Sequence, residues 1–147
     1  MAELHGCHIP EELYYWPEKH VWARPEPDGS VTIGITDVAQ HLARAIINVT
    51  PKGLGKKVQR GKSAGTLESG KWVGPVTAPV SGQIVALNDA MLASPNLLNE
   101  DPYNDGWFAR VQVADWESDR AELVTGAEGV EVYRKFLEST GISCSEA

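Results

Sequence analysis

At 147 residues and 16.0 kDa, with 42% apolar and 22% charged residues, the chain has the size and balance of one globular domain. Collagen-like, mucin-like and wholly disordered chains are excluded. A net charge of −7 speaks against a general nucleic-acid binder, which needs a basic face to displace counterions from phosphate.

Residues 1–15 read as an extended N-terminal segment, with Pro10 as a breaker and the aromatic run Tyr14, Tyr15, Trp16 free to lie on the body. His20 to Arg24 and Ser30 to Ile35 read as two strands joined by a turn at Pro25, Pro27, Asp28 and Gly29. In the second, Val31, Ile33 and Ile35 alternate with Thr32 and Gly34, the pattern of a half-buried strand. Thr36 or Asp37 caps a short helix reaching Leu42. Ala45 to Val49 reads as a buried strand.

From Pro51 to Gly82 glycines and prolines separate short β segments at 57–59, 63–68 and 72–78. Another strand is predicted over 82–87, helical turns after Asn88 and Pro95, and a strand over 106–113. Residues 125–140 form the clearest helix: Thr125 and Glu128 have capping-box spacing, Val130, Tyr133, Phe136 and Leu137 share a side, and Gly141 ends it. With no linker in view, residues 1–147 read as one mainly β domain, a small barrel or sandwich with marginal helices.

No stretch reaches the ~20 apolar residues of a membrane helix, and Met1 to Pro10 lacks the order of a secretory signal. A cytoplasmic protein without a membrane partner is expected. Cys7 and Cys144 are too few and too distant in sequence to announce a disulfide framework or zinc knuckle, and read as thiols. His5, Cys7 and His8 lie close together but lack a fourth ligand, so no metal is expected. Six basic residues, Lys52, Lys56, Lys57, Arg60, Lys62 and Lys71, stand against one acid, Glu68, between Pro51 and Lys71. Lys52, Lys56, Lys57 and Arg60 suggest a docking edge for an acidic partner or a modifying ligase.

The sharpest local feature is Leu67-Glu68-Ser69-Gly70-Lys71-Trp72-Val73-Gly74-Pro75-Val76, followed by Ala78-Pro79-Val80-Ser81-Gly82. If its β segments pair, Gly70-Lys71 fills a two-residue turn, Gly70 supplying positive φ and Lys71 standing at an exposed tip. An amine on a protrusion is what a ligase needs to form an amide. Trp72 is expected to pack on the surface or frame the tip. The histidines His5, His8, His20 and His41 show no nucleophile–base–orienter arrangement, so no enzyme is expected. A biotin carrier would flank its lysine with methionine, where this chain has Gly70 and Trp72; an unmodified interaction module is the remaining rival.

His20-Val21-Trp22-Ala23-Arg24, the run from Val31 to Gln40, Asn99-Glu100-Asp101-Pro102-Tyr103-Asn104-Asp105-Gly106-Trp107, and the Glu-Ser-x-Lys turn with its following Pro-Val-Ser-Gly resemble the H protein of the glycine cleavage system. The resemblance covers roughly Trp16 to Leu137. It implies a lipoyl-type barrel-sandwich hybrid with lipoic acid on Lys71, held in an attachment turn of Glu68, Ser69 and Gly70. Lysine stem and acyl chain together span about 14 Å.

Glu68-Ser69-Gly70-Lys71-Trp72-Val73-Gly74-Pro75-Val76, with Pro10-Glu11-Glu12-Leu13-Tyr14-Tyr15, looks more like the lipoate-binding proteins of the sulfur-oxidising heterodisulfide reductase-like pathway. That resemblance implies a carrier shuttling sulfane sulfur and reducing equivalents. Its partners would be a lipoate ligase or lipoyl-assembly enzymes, a heterodisulfide reductase-like complex and lipoamide dehydrogenase. The alternative is a glycine cleavage H protein carrying an aminomethyl group between glycine decarboxylase and aminomethyltransferase.

Overall fold

The computed structural model describes residues 2–70 and 72–144. Twelve antiparallel strands make three sheets among these residues, none closed into a barrel. The largest runs in the order β12-β3-β4-β5-β11-β10-β7. It joins β3 (Tyr14–Trp16), β4 (Val21–Pro25), β5 (Ser30–Ile35), β7 (Lys57–Val58), β10 (Gly82–Leu87), β11 (Ala109–Val113) and β12 (Val124–Thr125). The small sheet sets β8 (Ser63–Ser69) between β6 (Ile46–Pro51) and β9 (Val73–Thr77). Among the described residues five α-helices lie at the margins, α1 (Asp37–Ala43), α2 (Asp89–Ala93), α3 (Leu97–Glu100), α4 (Trp116–Arg120) and α5 (Gly126–Thr140), with a 3-10 turn at Pro17–Lys19. The mainly β architecture with a C-terminal helix matches the sequence expectation.

One core joins the large and small sheets: Ile33, Ile84, Val111 and Phe108 meet Val49, Leu67 and Val76. A second gathers Tyr15, Trp22, Tyr133 and Leu137, with Cys7 and Ile9. Because both faces of β5 are covered, all six of its residues are buried, which corrects the half-buried expectation. The apparent polar face closes over specific partners. A Cβ at Gly34 would lie 2.5 Å from Trp22 Cζ2, and the Trp22 indole N–H donates to the Ile35 carbonyl at 2.9 Å. β6, expected to be buried, instead exposes Ile47 and Asn48 at a bulge opposite β8.

The N-terminal segment departs from the extended reading: β1 (Ala2–Leu4) and β2 (Cys7–Ile9) pair about His5 and Gly6, with φ of 50° and 83°. A disulfide joins Cys7 to Cys144 and overturns the free-thiol reading. The sequence separation of 137 hides the proximity, because α5 returns the chain to this hairpin, where the Cys144 N–H donates to the His5 carbonyl at 2.9 Å. A cross-link closing so long a loop is worth about 2–5 kcal/mol. It also removes Cys7 as a metal ligand; the His5 and His8 rings face Glu138 at 3.3 Å and Glu3 at 3.7 Å.

α1 starts as predicted, Thr36 Oγ1 accepting from the Ala39 N–H at 3.2 Å. α5 does not form its capping box: Thr125 Oγ1 donates to the Leu13 carbonyl at 2.7 Å instead, pinning the helix start to the N-terminal segment. Gly141, at φ 74°, ends it, as predicted. α4, absent from the sequence reading, has no buried residue to mark it and starts where Asp115 Oδ1 accepts from the Ser118 N–H. No helix among the described residues is long and apolar enough to cross a membrane.

Candidate cofactor-attachment site

β8 and β9 pair with Leu67 opposite Gly74 and Glu68 opposite Val73. The Ser69 N–H donates to the Trp72 carbonyl at 2.8 Å, closing the hairpin around a two-residue connection that begins at Gly70. Lys71 lies outside the described residues. Ser69 is buried, while Glu68 is half-buried in a row with Asn48 of β6 and Val73 of β9. Gly70 corrects one expectation. Its φ is outside the left-handed range and an added Cβ would meet no atom within 4 Å, so the turn does not depend on glycine there.

Trp72 is held by the residue two positions on. A Cβ at Gly74 would lie 2.0 Å from Trp72 Cζ2, so only glycine lets the indole lie flat across β9. The ring remains 45% exposed. It forms one wall of a pocket of about 290 Å³ with Lys19 and His20 from one segment, Leu42 of α1, Leu67 of β8 and Val76 of β9. The His20 backbone is left-handed at φ 59°, and its ring stands edge-on to Phe136 at 5.9 Å between centroids. Its Nδ1 is buried without a hydrogen-bond partner. Burial holds its pKa below the ordinary histidine value, against a weaker opposite pull from Glu18. A larger cleft of about 390 Å³, between His8, Asp37 and Tyr103, shares no residue with the hairpin.

The basic island divides. Lys52, Lys56, Lys57 and Lys62 are exposed; Lys52 and Lys62 lie near the opposite end of the small sheet, where the Lys52 N–H donates to the Ala64 carbonyl, and Lys56 and Lys57 lie at the β7 edge of the large sheet. Six residue steps along the strand separate Ala64 from Gly70, about 20 Å. Arg60 belongs to the frame instead: its guanidinium lies 4.0 Å from the Trp16 ring centroid and donates to the Glu122 carbonyl at 3.3 Å. Lys19, His20 and Leu42 were not singled out from sequence as site residues, because they come from the segment before β4 and from α1, and only the fold brings them beside Leu67, Trp72 and Val76.

A family model described as glycine cleavage H-protein matches residues 13–138. The chain belongs to the glycine cleavage H-protein family. Glycine cleavage system H protein 2 of Aquifex aeolicus is 44% identical over 146 residues, covering 99% of this chain and 91% of its own. Probable glycine cleavage system H protein 2 of Sulfurisphaera tokodaii is 41% identical, covering 98% of each chain. The crystal structure of a glycine cleavage system H protein from Mycobacterium marinum superposes with a TM-score of 0.74 at 34% identity, over 91% of this chain and all of that one. Family members carry a lipoyl group on a lysine, so the cofactor is lipoic acid and the partners are lipoate-assembly and lipoyl-utilising enzymes. The hairpin fits such a group: β8 and β9 are closed by the Ser69–Trp72 hydrogen bond with Gly70 exposed beside it, and an apolar pocket opens beside Trp72.

Proposed function

We propose that the chain is a lipoyl carrier rather than an enzyme, with lipoic acid amide-linked to Lys71. The observation that carries this reading is the β8–β9 register. It leaves a two-residue connection, of which Lys71 is one, closed by the Ser69–Trp72 hydrogen bond. Glu68, Ser69 and Gly70 present the attachment turn to the loading enzyme. The lipoyl group supplies a two-electron disulfide/dithiol couple on a long tether, and the protein supplies a rigid mount and a partner-facing surface.

The names of the relatives favour carriage of an aminomethyl group between glycine decarboxylase and aminomethyltransferase, with lipoamide dehydrogenase restoring the disulfide. A second reading is cytoplasmic shuttling of sulfane sulfur and reducing equivalents with a heterodisulfide reductase-like complex. The exposed lysines at 52, 56, 57 and 62 favour it by offering an acidic partner a basic end. Intact-mass analysis after co-expression with a lipoate ligase tests the carrier. One lipoyl increment is expected on the native chain and none on Lys71→Arg; equal gains in both overturn the assignment. Comparing reduction of the lipoylated chain by each enzyme system then separates the two readings.

A further inference from the structure

Three non-glycine residues among those described have positive φ, His5, His20 and Arg44, and the third differs in kind. His20, at φ 59° and ψ 40°, lies in the left-handed region that histidine visits. Arg44, at φ 67° and ψ −156°, lies where only glycine enters without strain. The conformation is held from both sides. The Arg44 N–H donates to the Gln40 carbonyl at 3.1 Å, ending α1. Asn99 of α3 donates through Nδ2 to the Arg44 carbonyl at 2.7 Å and accepts at Oδ1 from the Ile46 N–H at 2.9 Å. Glycine would make this turn at no such cost, so the arginine side chain serves something other than the turn.

We propose that Arg44 is a recognition residue for the enzyme that loads Lys71, its guanidinium pairing with a carboxylate on that enzyme. The inference rests on the carrier reading above and deepens it by naming a contact through which the loading partner is chosen.

The place of Arg44 in the fold selects this partner. Ile46 pairs with Ser69, the last residue of β8, so Arg44 and Ala45 enter β6 alongside the connection that starts at Gly70, one strand spacing of about 4.8 Å away. The amide forms at the Lys71 amine, within about 6 Å of its Cα, so the loading enzyme must close over this apex. An enzyme acting on the loaded arm meets its end about 14 Å out. Arg44 is exposed, and so are Ile47, Trp72 and Val73 on the flanking strand and hairpin. Arginine and tryptophan among aliphatic side chains is the composition of an interface centre. A planar guanidinium takes a carboxylate in two parallel hydrogen bonds. With a net charge of −7, the chain attracts an acidic surface only through local cations of this kind.

The test uses the full unloaded chain, lipoate, ATP and a lipoate ligase shown by intact mass to load the native protein, with kcat/KM read at about 25 and about 300 mM salt. Arg44→Gly is expected to raise the thermal midpoint, because the strain is relieved, and to lower kcat/KM at low salt at least about tenfold, the size of one charge-assisted contact. It should also lose the decline with salt expected of the native chain. Arg44→Lys, which keeps the charge but not the planar fork, should recover part of the rate. Arg44→Glu should be slower than Arg44→Gly and speed up as salt rises. Native kcat/KM in Arg44→Gly, or equal losses in all three variants at both salt concentrations, overturns the inference and leaves the carrier standing. A lowered midpoint in Arg44→Gly removes the strain and overturns the inference with it. Equal mass gains in the native chain and Lys71→Arg overturn the carrier reading instead.

Discussion

At the base of the small sheet Gly65 is pressed against its neighbours: a Cβ there would lie 2.6 Å from Pro51 Cα, 2.6 Å from the Thr50 carbonyl oxygen and 2.8 Å from Phe108 Cζ. At the apex of the same hairpin Gly70 meets nothing within 4 Å. Exposure follows the same gradient. Around the apex Ile47, Trp72 and Val73 stay 59%, 45% and 67% exposed, whereas Ala64 at the base is fully buried and Ser63 Oγ donates to the Gly65 carbonyl at 2.8 Å. The difference teaches how one hairpin serves two demands. Close packing at one end fixes the direction of the strands, and looseness at the other leaves room for a modifying enzyme and for whatever the apex bears.

The hardest blow to this arrangement is Gly65→Ala. The obstructing atoms include backbone of β6, which cannot rotate away, so about 3 kcal/mol of destabilisation is expected in urea unfolding. A loss below 0.5 kcal/mol would mean the base is as tolerant as the apex and would break the comparison. Gly74→Ala comes next, because the obstructing group is the Trp72 side chain, which can move. About 1 kcal/mol is expected. Trp72 should also become more exposed, read as a red shift of its emission against Trp72→Phe. An unchanged spectrum would show that Gly74 does not hold the indole.

Much of the frame was legible in the sequence, and the reasons for the misses are physical. The strand pair around Pro25–Gly29, the Thr36 cap and the α5 stripe of Tyr133 and Leu137 follow from local spacing. The hairpin was read from Gly70 as a positive-φ turn; the hairpin is there, but Ser69 and Trp72 close it, a backbone bond that no side-chain pattern announces. The Cys7–Cys144 bond and the pocket of Lys19, His20 and Leu42 depend on segments brought together by the whole fold, so spacing carried no trace of them. Thr32 and Gly34 looked like an exposed face because the layer that covers them, Trp22 with Arg110 and Glu26, comes from other segments.

His20 lies on the apical side, in the wall of the pocket, and gives a smaller, pH-dependent contrast. Its folded pKa is held below the ordinary value near 6.5 by burial, so the unfolded chain binds the proton first as pH falls. Stability therefore declines below pH about 6.5 and stops declining on this account once the folded ring titrates. His20→Asn, which tolerates the left-handed backbone at φ 59°, should flatten that part of the profile in urea unfolding between pH 7 and 5. An unaltered slope would assign the pH dependence to other groups.

The smallest expected effect is also the most discriminating. Gly70→Ala adds a methyl group where there is space and where φ lies outside the left-handed range, so stability should stay within about 0.5 kcal/mol of the parent. Because the Ser69–Trp72 bond involves neither the Gly70 N–H nor its carbonyl, the hairpin should keep its register. If Lys71 carries the lipoyl group as proposed, the rate at which a lipoate ligase loads this variant then has a clean meaning. A slower rate at unchanged stability measures the enzyme's own contact with the turn, whereas a drop in both would show that glycine shapes the apex after all, and that the two ends of the sheet are less different than their packing implies.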